Sequence, residues 1–173
     1  MAPRAVLGTV VKTVGLKGEV KLLPAPDFWP EALEAEAIGI VADGAPSGTA
    51  RVARWRWKGQ TVILSLEGID TVEKAEPLVG SSFVLELGGL DPEIRPDRML
   101  PCEYVGLAVR LPDGSTLGTV VDMLLGPAQN CLIVERDGER YLVPDTPGIV
   151  KRVAVDEGVI EIDPPAGLVD LRW

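Results

Sequence analysis

Lysine and arginine side chains set among glycine-bounded strands are the groups in this sequence best suited to chemistry, and that chemistry is phosphate binding. Lys12, Lys17 and Lys21 surround Gly15 and Gly18 in the run Gly8-Thr-Val-Val-Lys-Thr-Val-Gly-Leu-Lys-Gly-Glu-Val20. Glycines at such turns can bring backbone N–H groups close to an anion, with the lysines supplying charge around them. Further on, Arg51, Arg54, Arg56 and Lys58 interleave with Trp55 and Trp57, a mixture that serves single-stranded RNA by charge and stacking. Strand alternation turns Arg54, Arg56 and Lys58 to one face and both tryptophans to the other, where large apolar side chains form core.

Other chemistries lack their parts. The chain has no histidine, which removes Ser-His and Cys-His nucleophile pairs and the commonest general base. Cys102 and Cys131 stand far apart and outside any CxxC arrangement, so they read as buried reduced thiols rather than a zinc or redox site. Asp113, Asp122, Asp137 and Asp163 read as turn or strand-end carboxylates, without a convergent base. No catalytic residue, cofactor or metal is therefore expected, and the chain reads as a binding protein rather than an enzyme.

The elements that must position these groups are mostly strands. Ala5 to Val14 and Glu19 to Leu23 form an opening hairpin around Gly15 to Gly18. Pro24, Pro26 and Pro30 then interrupt regular structure through a loop bearing Phe28 and Trp29, followed by a helical turn at 31–36 and a strand at 37–42. Two strands between Thr49 and Leu66 flank Lys58-Gly59. Asp70 with Glu73 reads as a capping box opening one short helix that Pro77 shortens and Gly80 ends, before a closing strand at 81–87.

Residues 88 to 101 mix glycine, proline and charge in the manner of a linker, so the expected units are 1–90 and 100–173, joined by 91–99. Beyond it, turns at Asp113-Gly114, Asp137-Gly138 and Glu157-Gly158 separate short apolar runs at even spacing, the pattern of a small barrel. The halves differ in charge. Residues 1–92 hold 9 Lys+Arg against 12 Asp+Glu, while 93–173 hold 8 against 14, within a total of -9. A carboxylate-rich second half suits a cationic protein partner better than nucleic acid. The N-terminus lacks a signal-peptide pattern and no apolar run is long enough to span a bilayer, so a cytoplasmic protein is expected.

The opening run together with Leu66-Glu-Gly-Ile-Asp-Thr-Val-Glu-Lys-Ala-Glu-Pro-Leu-Val-Gly80 resembles the N-terminal domain of the RimM family of bacterial ribosome maturation factors. Tyr104-Val-Gly-Leu-Ala-Val-Arg-Leu-Pro-Asp-Gly-Ser-Thr-Leu-Gly-Thr-Val-Val-Asp-Met-Leu, Asn130-Cys-Leu-Ile-Val, Tyr141-Leu-Val-Pro144 and the run from Ile160 to Leu171 resemble that family's PRC barrel. The resemblance implies a mostly β fold of two small β-barrels joined by a linker, the first like the barrel of translation factors with one short helix. It also implies a monomeric, non-enzymatic factor at the head of the immature small (30S) subunit. There the family docks a head ribosomal protein, the nineteenth of the small-subunit series, and assists 16S rRNA processing and folding. With that role, the cationic and turn residues Lys12, Gly15, Lys17, Gly18, Lys21, Arg54, Arg56 and Lys58 are expected to face rRNA, and Met99, Leu100 and Tyr104, bordering the second barrel, to meet the ribosomal protein.

Two departures stand out. The family's aromatic pair ahead of the barrel is replaced by Met99, Leu100 and Pro101, and its histidine in the opening loop by Val14. Two rival readings accompany this one: a PRC-barrel adaptor of a membrane-associated electron-transfer or photosynthetic complex, and a small carboxylate-dependent enzyme.

Overall fold

The computed structural model describes residues 3–172 as a mostly β protein. Its backbone divides into two compact units, 1–98 and 99–173.

In the first unit, β1 (Arg4–Val14) and β2 (Glu19–Pro24) form the opening hairpin. A 3-10 turn at Pro30–Glu34 leads to β3 (Ile38–Ala42), β4 (Ala45–Ala50), β5 (Val52–Lys58) and β6 (Thr61–Leu66). After α1 (Val72–Ala75) the chain tightens into a 3-10 turn at Glu76–Leu78, where Pro77 ends the α-helical hydrogen bonding, and β7 (Ser82–Glu86) closes the unit. The sheet runs in the order β4-β3-β7-β1-β2-β6-β5. Leu7, Val10, Val20, Leu22, Val62, Leu64, Phe83 and Leu85 form its buried interior.

Local chemistry explains several of these elements. The helix cap lies at Thr71 rather than Asp70: the Thr71 hydroxyl accepts from the Lys74 N–H at 3.3 Å, while Asp70 pairs with the Lys74 ammonium at 2.8 Å. Asp43 and Gly44, at φ 51° and 75°, make the two-residue turn joining β3 to β4, as the sheet's twist demands. The strand at β4 carries little mark in the sequence, because Pro46 and Gly48 weaken its strand signal. The proline and charge-rich stretch after β7 is tied to the first unit, since Trp29 Nε1 donates to Ile94 O at 2.7 Å and Arg98 Nη2 donates to Asp27 O at 2.7 Å.

The second unit begins with α2 (Pro101–Tyr104), a short helix not expected from the sequence pattern. Its strands are β8 (Ala108–Arg110), β9 (Thr116–Leu124), β10 (Cys131–Arg136), β11 (Glu139–Pro144), β12 (Val150–Ala154) and β13 (Val159–Ile162). They order as β11-β10-β9-β8-β13-β12, with β8 and β13 parallel. Leu107, Val109, Val120, Leu132, Val134, Val143 and Ile160 pack at the centre. Cys102 and Cys131 form no disulfide and are half-buried, less enclosed than expected. No helix among the described residues is long and apolar enough to cross a membrane.

Gly15 and Gly18 both take left-handed backbone, at φ 65° and 79°, yet their surroundings differ. A Cβ at Gly15 would meet open space, whereas one at Gly18 would lie 2.7 Å from Ile69 O and 2.8 Å from Thr71 N. Gly15→Ala is expected to cost the left-handed strain alone, about 1–2 kcal/mol. Gly18→Ala adds displacement of the 69–71 backbone, so its loss in chemical denaturation should be clearly the larger; equal losses would refute this account.

Candidate nucleic-acid interface and protein-docking surface

Strand register assembles the basic face from four strands. Lys12 on β1 pairs with Lys21 on β2, Lys21 with Ile63 on β6, and Ile63 with Arg56 on β5. Directly paired residues project to one side of a sheet, so these cations share a face. Arg54, two residues from Arg56, and Lys58, two residues beyond it, belong to the same side of β5. Ile63 is buried in the middle of the row, and the aliphatic stems of long cationic side chains are suited to covering such a site.

Glu19 is the carboxylate inside this face. Its Oε2 accepts from Arg56 Nη1 at 2.6 Å and from Ser65 Oγ at 3.3 Å. The Arg56 hydrogen bond holds the Glu19 carboxyl below its ordinary range despite opposing desolvation. The lysines have the opposite problem. Desolvation first, then the charges of Lys12 and Lys58, hold the Lys21 ammonium below its ordinary range. The secondary contribution reflects the crowding of like charge along this row.

Not every expected residue joins the face. Lys17 and Gly15 lie exposed in the β1–β2 turn. Gly18 is buried against the Ile69–Thr71 backbone, so its expected place on an exposed rRNA-facing surface is corrected: its missing side chain serves packing.

The tryptophans also need correction. Trp57 pairs with Val62 and Trp55 with Leu64, so both lie on the core side, as alternation indicates. Burial does not follow for Trp57, which stays 49% exposed. Because β5 ends the sheet, little lies beyond to cover it. Phe28 and Trp55 meet its ring edge-on, at centroid distances of 5.8 and 6.5 Å.

In the second unit, the three expected protein-contacting residues separate. Leu100 is fully buried and presents no surface, which corrects its assignment as a contact. Its N–H donates to Glu103 Oε2 at 2.8 Å, bracing the start of α2. Met99 is half-buried. Tyr104 packs partly against the core, and its hydroxyl bonds the Asp145 carboxylate.

Sequence reasoning missed an apolar patch beside this segment. Gly106 N–H donates to Val120 O at 2.8 Å, bringing the backbone at Val105 alongside that at Val121, and these valines are 48% and 36% exposed. Val121 faces out by alternation with the buried Val120, and the β9–β10 register shift between Val120 and Asp122 leaves it without a strand partner. The bulge keeps Asp122 on the outer side as well, ahead of the buried Met123, and leaves no compositional signal.

Among the described residues no group of three His, Cys, Asp or Glu could hold a metal ion. A groove of about 970 Å³ runs over β3, β4 and β7, away from the basic face in strand order; its charged lining residues are Arg4, Glu36, Glu86 and Asp91.

Residues 5–86 match the RimM N-terminal domain and residues 101–168 match the RimM PRC barrel domain. The chain belongs to the RimM family. These are ribosome maturation factors, not a known class of enzyme. A 16S ribosomal RNA processing protein RimM from Pseudomonas aeruginosa is similar at 24% identity, covering 94% of this chain and 98% of that one, with a TM-score of 0.46. The N-terminal domain of RimM from Thermus thermophilus, solved in solution, is similar at 21% identity over 52% of this chain and 96% of that domain, with a TM-score of 0.41. The family match covers the basic face in the first unit and the Val105–Val121 patch in the second.

The Tyr104–Asp145 pair makes a pH prediction for this RimM-family chain. Burial first, then the Asp145 charge and hydrogen bond, push the Tyr104 phenol from 10.0 up to about 12. The folded state then holds this proton more tightly than the unfolded one. Its stabilising contribution is complete below pH 10.0 and fades as pH rises through about 12. Tyr141→Phe leaves Tyr104 as the single tyrosine, because the chain has 2. Its phenolate absorbance should rise near pH 12 in the folded protein; a midpoint at 10.0 would remove the assigned contact.

Proposed function

We propose that this protein is a non-enzymatic ribosome maturation factor that binds the head of the immature 30S subunit through a cationic head ribosomal protein and the adjacent 16S rRNA. The observation carrying this reading is the division of charge between two family-matched units. Residues 99–173 hold 12 Asp+Glu against 6 Lys+Arg, while the first unit gathers Lys12, Lys21, Arg54, Arg56 and Lys58 on one sheet face.

A negatively charged unit attracts a basic protein and quickens encounter, and would be repelled by bare RNA. Met99, the rim of Tyr104, and Val105 with Val121 supply apolar contact, while Leu100 supports them from within. Once docked, the second unit raises the local concentration of the first at rRNA, so modest phosphate contacts suffice to bias a nearby RNA fold. This role places the protein in the cytoplasm and needs no bond-making step.

The test is capture of the head ribosomal protein by the full chain. Val105→Asp with Val121→Asp, and separately Asp122→Lys, should each weaken capture about tenfold or more, as expected for central contacts. Lys12→Gln with Lys58→Gln should leave capture unchanged and weaken RNA association at low salt. Full capture by the Val105/Val121 variant, with folding verified by its thermal transition, would refute the docking surface. Co-sedimentation with membranes instead of pre-30S particles would favour the adaptor reading.

A further inference from the structure

The outermost strand of the first sheet combines features that the phosphate-binding role leaves unused. Beyond the cations of its outer face, β5 carries Trp57 on the other face, 49% exposed, held in place by edge-on contacts with Phe28 and Trp55. No second strand pairs with β5 among the described residues. A flexible strand passing over this edge therefore reaches both faces: Arg56 and Lys58 on one side, Trp57 between them in sequence on the other.

We propose that Trp57 is a stacking platform for an unpaired RNA base, with Arg56 and Lys58 taking the flanking phosphates of the same strand. The proposal rests on the rRNA reading above and names the nucleic acid as single-stranded at this position. Three arguments carry it. An indole offers a broad π face to any base, and stacking is tolerant of sequence. Trp57 lies between two cations along one extended strand, at about 3.3–3.4 Å rise per residue, so a splayed base on the indole has a cation one residue away on either side for its flanking phosphates. Charge decides the occupant: across the β5 edge from Trp57 the opposite face is cationic, with Glu19 already engaged by Arg56 and Ser65, so a strand wrapping this edge is favoured as a polyanion over an apolar peptide. A base paired inside an A-form helix is not available for such stacking, so duplex RNA cannot use this platform.

The test uses the full chain and a fluorescently labelled single-stranded RNA of about 12 nucleotides, a length within the range such surfaces cover, beside a duplex of equal length. Trp57→Leu should weaken single-strand binding about tenfold while the slope of affinity against salt stays unchanged, since no phosphate contact is lost. Trp57→Phe should recover most of that loss. Lys58→Gln should instead lower the salt slope by about one. Duplex binding should be indifferent to both Trp57 variants. Thermal unfolding of Trp57→Leu verifies that the sheet survives, with recovery by Trp57→Phe as the second safeguard.

Unchanged affinity in Trp57→Leu alongside weakened Lys58→Gln would overturn stacking and leave the basic face intact as an rRNA contact. Absence of RNA binding by the parent chain would overturn both readings. Loss of ribosomal-protein capture in Trp57→Leu, with RNA binding intact, would assign this edge to a protein and likewise reject the proposal.

Discussion

The antiparallel pairing of β2 with β6 is the constraint on which the first unit depends. It sets Lys21 opposite Ile63 and Val20 opposite Leu64, and through those positions fixes which side of β5 faces out. A shift of one residue would exchange Lys21 with its apolar neighbours and send cations into the core. Gly18 helps hold that register, because its missing side chain lets the hairpin lie against the Ile69–Thr71 backbone. Fold stability and placement of positive charge are thus consequences of one alignment.

The second unit reaches its surface differently. Alternation with the buried Val120 turns Val121 outward, and a regular strand would then turn Asp122 inward. The register shift in β9 instead keeps Asp122 outward with Val121 and leaves Val121 unpaired, exposed near Val105. Meanwhile Leu100, which looks in sequence like part of the same apolar segment, is buried. Hydrophobicity alone cannot separate these roles; the bulge and the short turn of α2 do so.

Several elements are legible in the residues themselves. The opening hairpin, the Lys58-Gly59 turn and the Asp137-Gly138 turn all occur where Gly, Asp and apolar alternation place them, with Asp137 and Gly138 at φ 52° and 80°. Asp43-Gly44 carries the same kind of hairpin signal, and could have revealed β4. The parallel pairing of β8 with β13 has no comparable mark, since it joins segments far apart in the chain, Ala108 to Val159 and Arg110 to Glu161. Nor does composition reveal that Trp57 remains open, because exposure there follows from β5 standing last in the sheet.

What the sequence determined by itself was local: strand periodicity, turn positions, an acidic second half and the absence of histidine. These follow from neighbouring side chains and backbone preferences, and together with the longer motifs they suffice to indicate the RimM family. Tertiary structure decided the rest, because strand order and register are relations between distant segments. They brought Lys12, Lys21 and Arg56 into one row, enclosed Gly18 and Leu100, and left Trp57 and Val121 in contact with solvent.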